Sequence, residues 1–136
     1  MDELTRTAIA RWLTKAENDL KTAQTMLAAD PPVTDVVCFH AQQCAEKSLK
    51  AFLTFADIHV EKTHFLPRLI ELCKGADPAF DNLRDAAIAL TDYAVEVRYP
   101  DDYREIFLNE AAEAVKEAEK IITFVRRKLS LKNKAD

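Results

Sequence analysis

Residues 39–53 read "FHAQQCAEKSLKAFL", an amide pair, a carboxylate and two ammonium groups set into a short apolar stretch. Stepped at about 100° per residue, the apolar positions Val37, Cys38, Ala41, Cys44, Ala45, Leu49, Ala51, Phe52, Leu53, Phe55 and Ala56, with Ser48, spread over roughly 200° of arc. An arc that wide touches more than one neighbour, which predicts a central helix capped by Thr34 or Asp35 and running to about Asp57. Gln43, Glu46, Lys47 and Lys50 share the complementary side as one polar stripe about two turns long. Glu46 and Lys50 are also four residues apart in the favourable order, worth about 0.2–0.5 kcal/mol if exposed. Two readings stay open. The stripe is either a solvated helix face, or a carboxylate and two amines lining a groove that holds a phosphate or the edge of a base.

Before this helix, Ile9, Trp12, Leu13, Ala16, Leu20, Ala23 and Leu27 recur at three- and four-residue steps and predict a helix over residues 4–29, ended by Asp30-Pro31-Pro32. After it, residues 59–63 read as a loop, and a short helix over 64–74 is expected, with Thr63 as cap and Gly75 as terminator. A fourth helix is expected over 78–97, with Phe80, Leu83, Ala87, Leu90, Ala94 and Val97 on one face. Ile88 and Val95, a heptad apart on another side, suggest contact with a second subunit. A last helix carries Leu108, Ala111, Val115, Ala118, Ile122, Val125 and Leu129, and the polar tail 131–136 is expected to fray. No strand-like alternation or repeat interrupts this pattern, and the connections are short. Neighbouring helices should therefore run antiparallel in an up-and-down all-α bundle of about five helices, within a single domain over 1–130.

Composition agrees. The 136 residues suffice for one core, a chain of this length burying roughly 68% of its unfolded surface. A hydrophobic fraction of 49% with 31% charged residues, one glycine and five prolines argues for long helices with few breaks. Nineteen basic against twenty-three acidic residues give a net charge of -4, so contact with nucleic acid needs a local patch. No apolar run approaches the roughly 18 residues of a spanning helix, and no signal peptide opens the sequence, so a cytoplasmic protein without a membrane partner is expected. Cys38, Cys44 and Cys73 form no CxxC pair. Two of them share a helix about 9 Å apart, and reduced, buried thiols fit best.

Other stretches carry chemistry with equally simple structural readings. Lys62-Thr63-His64 offers an amine, a hydroxyl and an imidazole at a helix start, where an anion is favoured, or merely a cap and a backbone hydrogen bond. Arg98 and Tyr99, followed by Pro100, Asp101, Asp102 and Tyr103, either close a helix or grip a nucleotide, and Tyr99 or Tyr103 is a possible modification site. His40 and Cys44 are four apart, but no CxxC or HExxH accompanies them, so neither a metal nor a cofactor is expected. With Gly75 as the single glycine, GxGxxG, Walker and GxSxG loops are excluded.

Taken together, "WLTKAENDL" at 12–20, "FHAQQCAEKSLKAFL", "KTHFLPRL" at 62–69 and "RYPDDY" at 98–103 resemble the HEPN domain family, the higher eukaryote and prokaryote nucleotide-binding domains, over nearly the whole chain. The resemblance is to the prokaryotic type associated with minimal nucleotidyltransferases. It implies a bundle like the substrate-binding subunit of a nucleotidyltransferase, commonly a homodimer, paired with a minimal nucleotidyltransferase in toxin–antitoxin systems or in nucleotide and drug modification. Carried over by motif, the implied ligand-binding residues are Gln43, Glu46, Lys47, Lys50, Lys62, His64, Arg98 and Tyr99. Members that cut RNA use an arginine followed four to six residues later by a histidine, a pair suited to phosphate stabilisation and proton transfer. Here no arginine lies four to six residues before His40, His59 or His64. The expectation is therefore a non-catalytic nucleotide- or RNA-binding subunit. The alternatives are an RNA-cleaving toxin with an atypical site, and a helical interaction module with no nucleotide ligand.

Overall fold

The computed structural model describes residues 1–95 and 104–135, the last five as backbone only. Five α-helices follow in order: α1 (Glu3–Ala28), α2 (Thr34–Phe55), α3 (Leu66–Ala76), α4 (Arg84–Thr91) and α5 (Leu108–Ala135), with a 3-10 helix at Pro78–Leu83 before α4. Among the described residues there is no strand, and the all-α bundle is as expected.

Asp2 starts α1, its carboxylate accepting the Thr5 N–H at 2.8 Å, which holds its pKa below the usual value. At the other end the Val33 N–H donates to the Met26 carbonyl at 3.2 Å, fixing the reversal into α2. Val33 rather than Thr34 or Asp35 occupies the cap position, because this bond already places the chain for its first helical turn. Helix α2 closes in a Schellman motif. Asp57 adopts φ 58°, its N–H donates to Thr54 O at 3.3 Å, and the Ile58 N–H reaches Leu53 O at 2.9 Å.

Other expectations are corrected as well. Helix α3 begins at Leu66, not His64: Phe65 is its cap, and the Thr63 hydroxyl accepts the Phe65 N–H at 3.1 Å, ahead of the helix rather than within its first turn. Gly75 does not end it but lies within it. The chain leaves the helix at Asp77, whose extended backbone (φ -149°) still donates to Cys73 O at 2.9 Å. The fourth helix is also shorter than the apolar periodicity suggests. Pro78 and the Asp77 carboxylate, which accepts the Ala79 N–H at 3.0 Å, wind residues 78–83 into the tighter 3-10 form. Turn-type bonds from Tyr93 N to Leu90 O and from Ala94 N to Thr91 O then stop α4 at Thr91. Ile88 and Val95 are both exposed, but Val95 lies past the helix, so the two do not share a helical face. Helix α5, by contrast, continues to Ala135.

The core forms around α2. Its Val37, Ala41, Ala45, Leu49, Phe52 and Leu53 are fully buried against Ala16 and Ala23 of α1, Leu69 and Ile70 of α3, Leu83 and Leu90, and Ala118, Ile122 and Val125 of α5. Phe52 and Phe80 meet with ring centroids 4.3 Å apart, and Phe80 meets Phe124 edge-on at 5.0 Å, joining α2, the 3-10 helix and α5. Asp77 binds Lys128 of α5 at 3.0 Å across the same end. The three cysteines are reduced and buried, and burial pushes the thiols up to about 11 at Cys38 and about 12 at Cys44 and Cys73. Among the described residues no helix is long and apolar enough to cross a membrane.

Candidate ligand site

Helical spacing puts Gln42, Glu46 and Lys50 on one face of α2, and all three are buried, Glu46 to 4% exposure and Lys50 to 6%. The polar stripe is thus no wet face at its centre. A buried charge must be compensated, and the donors around Glu46 do this completely. Oε2 accepts from Lys50 Nζ at 3.0 Å, while Oε1 accepts from His64 Nδ1 at 2.8 Å and, more weakly, from Gln42 Nε2 at 3.4 Å. Gln42 also donates to the His64 carbonyl at 3.1 Å and accepts from Gln43 Nε2 at 2.7 Å. The loop before α3 is thereby fastened to α2 at both the backbone and the ring of His64. The ring itself is 67% exposed. The Lys50 ammonium lies 5.8 Å from the centre of the Trp12 ring of α1, a cation–π contact.

One turn back along α2 a second carboxylate is built into the same stripe. Asp19 of α1, also buried, accepts from Lys47 Nζ at 2.6 Å and from His40 Nδ1 at 2.8 Å. The rungs Trp12–Lys50 and Asp19–Lys47 run in opposite residue order, as antiparallel helices require. Each carboxylate thus holds one lysine and one histidine.

Of the residues anticipated from the motifs, Gln43, Glu46, Lys50 and His64 are brought into the Glu46 network, and Lys47 into the separate Asp19 network. Lys62 is exposed and makes no ion pair among the described residues. Arg98 and Tyr99 lie outside the described residues. On either side of them, Tyr93 and Arg104 converge on Glu110 at the start of α5. The Tyr93 hydroxyl donates to Oε2, and the Arg104 guanidinium grips both oxygens at 2.9 and 2.6 Å. These bonds, Arg104's first, hold the Glu110 carboxyl down to about 2, and burial together with Glu110 raises the Tyr93 phenol.

Asp19, His40 and Gln42 were not anticipated as partners. The signal lay in the apolar series themselves: Asp19 falls between Ala16 and Ala23 at three- and four-residue steps, and Gln42 precedes Leu49 and Leu53 by seven and eleven. A polar residue at an inward position needs partners, which periodicity cannot supply. Among the described residues no group of three or more histidine, cysteine or acidic side chains is placed to hold a metal.

A family model described as the HEPN domain matches residues 9–128, from the second turn of α1 to the sixth turn of α5. The chain belongs to the HEPN family. Its fold is similar to that of TT1696 from Thermus thermophilus, with 32% identity over 88% of this chain and 97% of that one and a TM-score of 0.71. It is also similar to ST0689, an archaeal HEPN homologue, with 28% identity over 88% of this chain and 96% of that one and a TM-score of 0.69. No curated protein matches. Within this HEPN domain, the Glu46 and Asp19 networks lie on the α1–α2 side, and the Tyr93–Glu110–Arg104 cluster bridges the end of α4 and the start of α5.

Proposed function

We propose that this HEPN protein is a non-catalytic subunit that binds a nucleotide or a short RNA segment at the rim of the α2 stripe, around His64, and acts with a minimal nucleotidyltransferase partner. The observation that carries the reading is an imidazole keyed to a buried carboxylate at 2.8 Å while two-thirds of its side chain faces solvent. A ring held in this way is pre-oriented, which lowers the entropy cost of engaging a ligand. The exposed Lys62, two residues before His64, extends the same proposed surface. The lack of an Arg-to-His spacing supports binding without cleavage. A homodimer, in a toxin–antitoxin pair, completes the reading, and the exposed Ile88, Val95, Phe107 and Leu108 support a second copy.

Calorimetric titration of the purified protein with nucleoside triphosphates and short RNA, with and without a nucleotidyltransferase encoded beside it, tests this. Binding in either form is expected, and its absence from a folded protein rejects the proposal. One observation favours a second reading, an RNA-cleaving toxin: the carboxylate–imidazole pair is also the geometry of a general base. That reading requires RNA cleavage abolished by His64→Ala, and a protein that binds RNA without cutting it removes it.

A further inference from the structure

Along the stripe both lysines are matched by a carboxylate: Lys47 by Asp19 at 2.6 Å and Lys50 by Glu46 at 3.0 Å. Their four charges sum to zero, so the stripe offers a phosphate no unmatched ammonium. What it does present is the His64 ring. A carboxylate only accepts hydrogen bonds, so the 2.8 Å contact with Glu46 Oε1 puts a proton on Nδ1. In the neutral imidazole the other nitrogen, Nε2, is then an acceptor. The side chain is two-thirds exposed, Nε2 makes no hydrogen bond among the described residues, and the Gln42 bond to the His64 carbonyl holds the backbone that carries the ring.

An oriented acceptor with no net charge behind it complements a hydroxyl or an amino group better than an anion. Resting on the nucleotide-binding reading above, we infer that His64 Nε2 accepts a hydrogen bond from the nucleoside part of the ligand. The site thus recognises a ribose hydroxyl or a base amino group and leaves the phosphates to solvent. Glu46 is a positioning residue here, since it reaches the ligand only through the ring.

The test is calorimetry on the full chain at pH 8. The titrants are the four ribonucleosides, their triphosphates and inorganic phosphate, at low and high salt. At least one nucleoside is expected to bind within about tenfold of its triphosphate, with little salt dependence, and inorganic phosphate is expected neither to bind nor to compete. His64→Phe, checked for an intact melting transition, should weaken that nucleoside by about tenfold, the loss of one hydrogen bond. His64→Gln, which restores an amide acceptor, should recover part of the affinity. Triphosphates that bind while nucleosides do not, or competition by phosphate with a steep salt dependence, would overturn the inference and leave nucleotide binding standing, with Lys62 as the natural phosphate contact. If no nucleoside, nucleotide or RNA binds, both fall.

Discussion

Glu46 shows how an all-helical core accommodates a carboxylate. Removing an ion from water costs several kcal/mol, and the Lys50 ammonium, the His64 ring and the Gln42 amide together offset that cost. With both side chains about nine-tenths buried or more, solvent screening is weak, so losing one partner is expensive. Lys50→Met should therefore destabilise the fold by about 3–5 kcal/mol in urea unfolding, and adding Glu46→Gln should recover most of the loss. A single-variant loss under about 1 kcal/mol would show the pair to be effectively solvated. Gly75 gives the opposite case. It is helical rather than left-handed, and an added Cβ would meet nothing within 4 Å. Gly75→Ala should then stabilise the protein by about 0.5–1 kcal/mol, read as a higher melting temperature, since the methyl group restricts the unfolded chain at no steric cost.

Between elements, the Glu110 cluster is the counterpart of the Glu46 network. It ties the residue two past α4 to the first turn of α5, joining the chain on both sides of residues 96–103. The carboxyl of Glu110 lies near 2 against an ordinary value of 4.5, so its folded-state pKa is depressed. Its stabilising contribution is then fully present above about pH 4.5 and is lost as the pH falls toward 2. Comparing acid unfolding of the wild type with that of Glu110→Gln should reveal a stability gap at pH 7 that narrows below pH 4.5. A gap independent of pH would mean that the titration of Glu110 does not contribute. The loop before α3 is held differently, by neutral and charged hydrogen bonds to α2 at His64.

Over the whole molecule, the apolar packing closes around α2 on all but its polar stripe, and the three thiols report on that closure. Cys38, Cys44 and Cys73 have no exposure, and burial pushes their thiols up to about 11, 12 and 12 respectively. Thiolate, the reactive form, is therefore scarce as well as shielded. A colourimetric thiol reagent at pH 8 should label none of the three on the time scale of free cysteine, and all three once the protein is unfolded in denaturant. Rapid labelling of Cys38 alone would show that the bundle opens locally around the start of α2.

The sequence by itself determined the helices and their inner faces, because burial repeats with the helix period and prolines mark where helices cannot continue. Helix α1, the central role of α2 and the inward face of α5 all follow from spacing. Where local hydrogen bonds compete with periodicity, as at Thr63, Asp77 and Thr91, the ends of α3 and α4 departed from it. The polar stripe was legible as a set of residues but not as a site. Whether Glu46 and Lys50 face water depends on Trp12 and His64, which lie 34 and 18 residues from Glu46 and meet its partner or Glu46 itself only after folding. Likewise Asp19 gains a role only when α1 sets it against His40 and Lys47. Periodicity records which face of a helix turns inward. The contacts that close the site, His64 on Glu46, Trp12 on Lys50, and Asp19 with His40 and Lys47, are long-range, and the tertiary structure alone decides them.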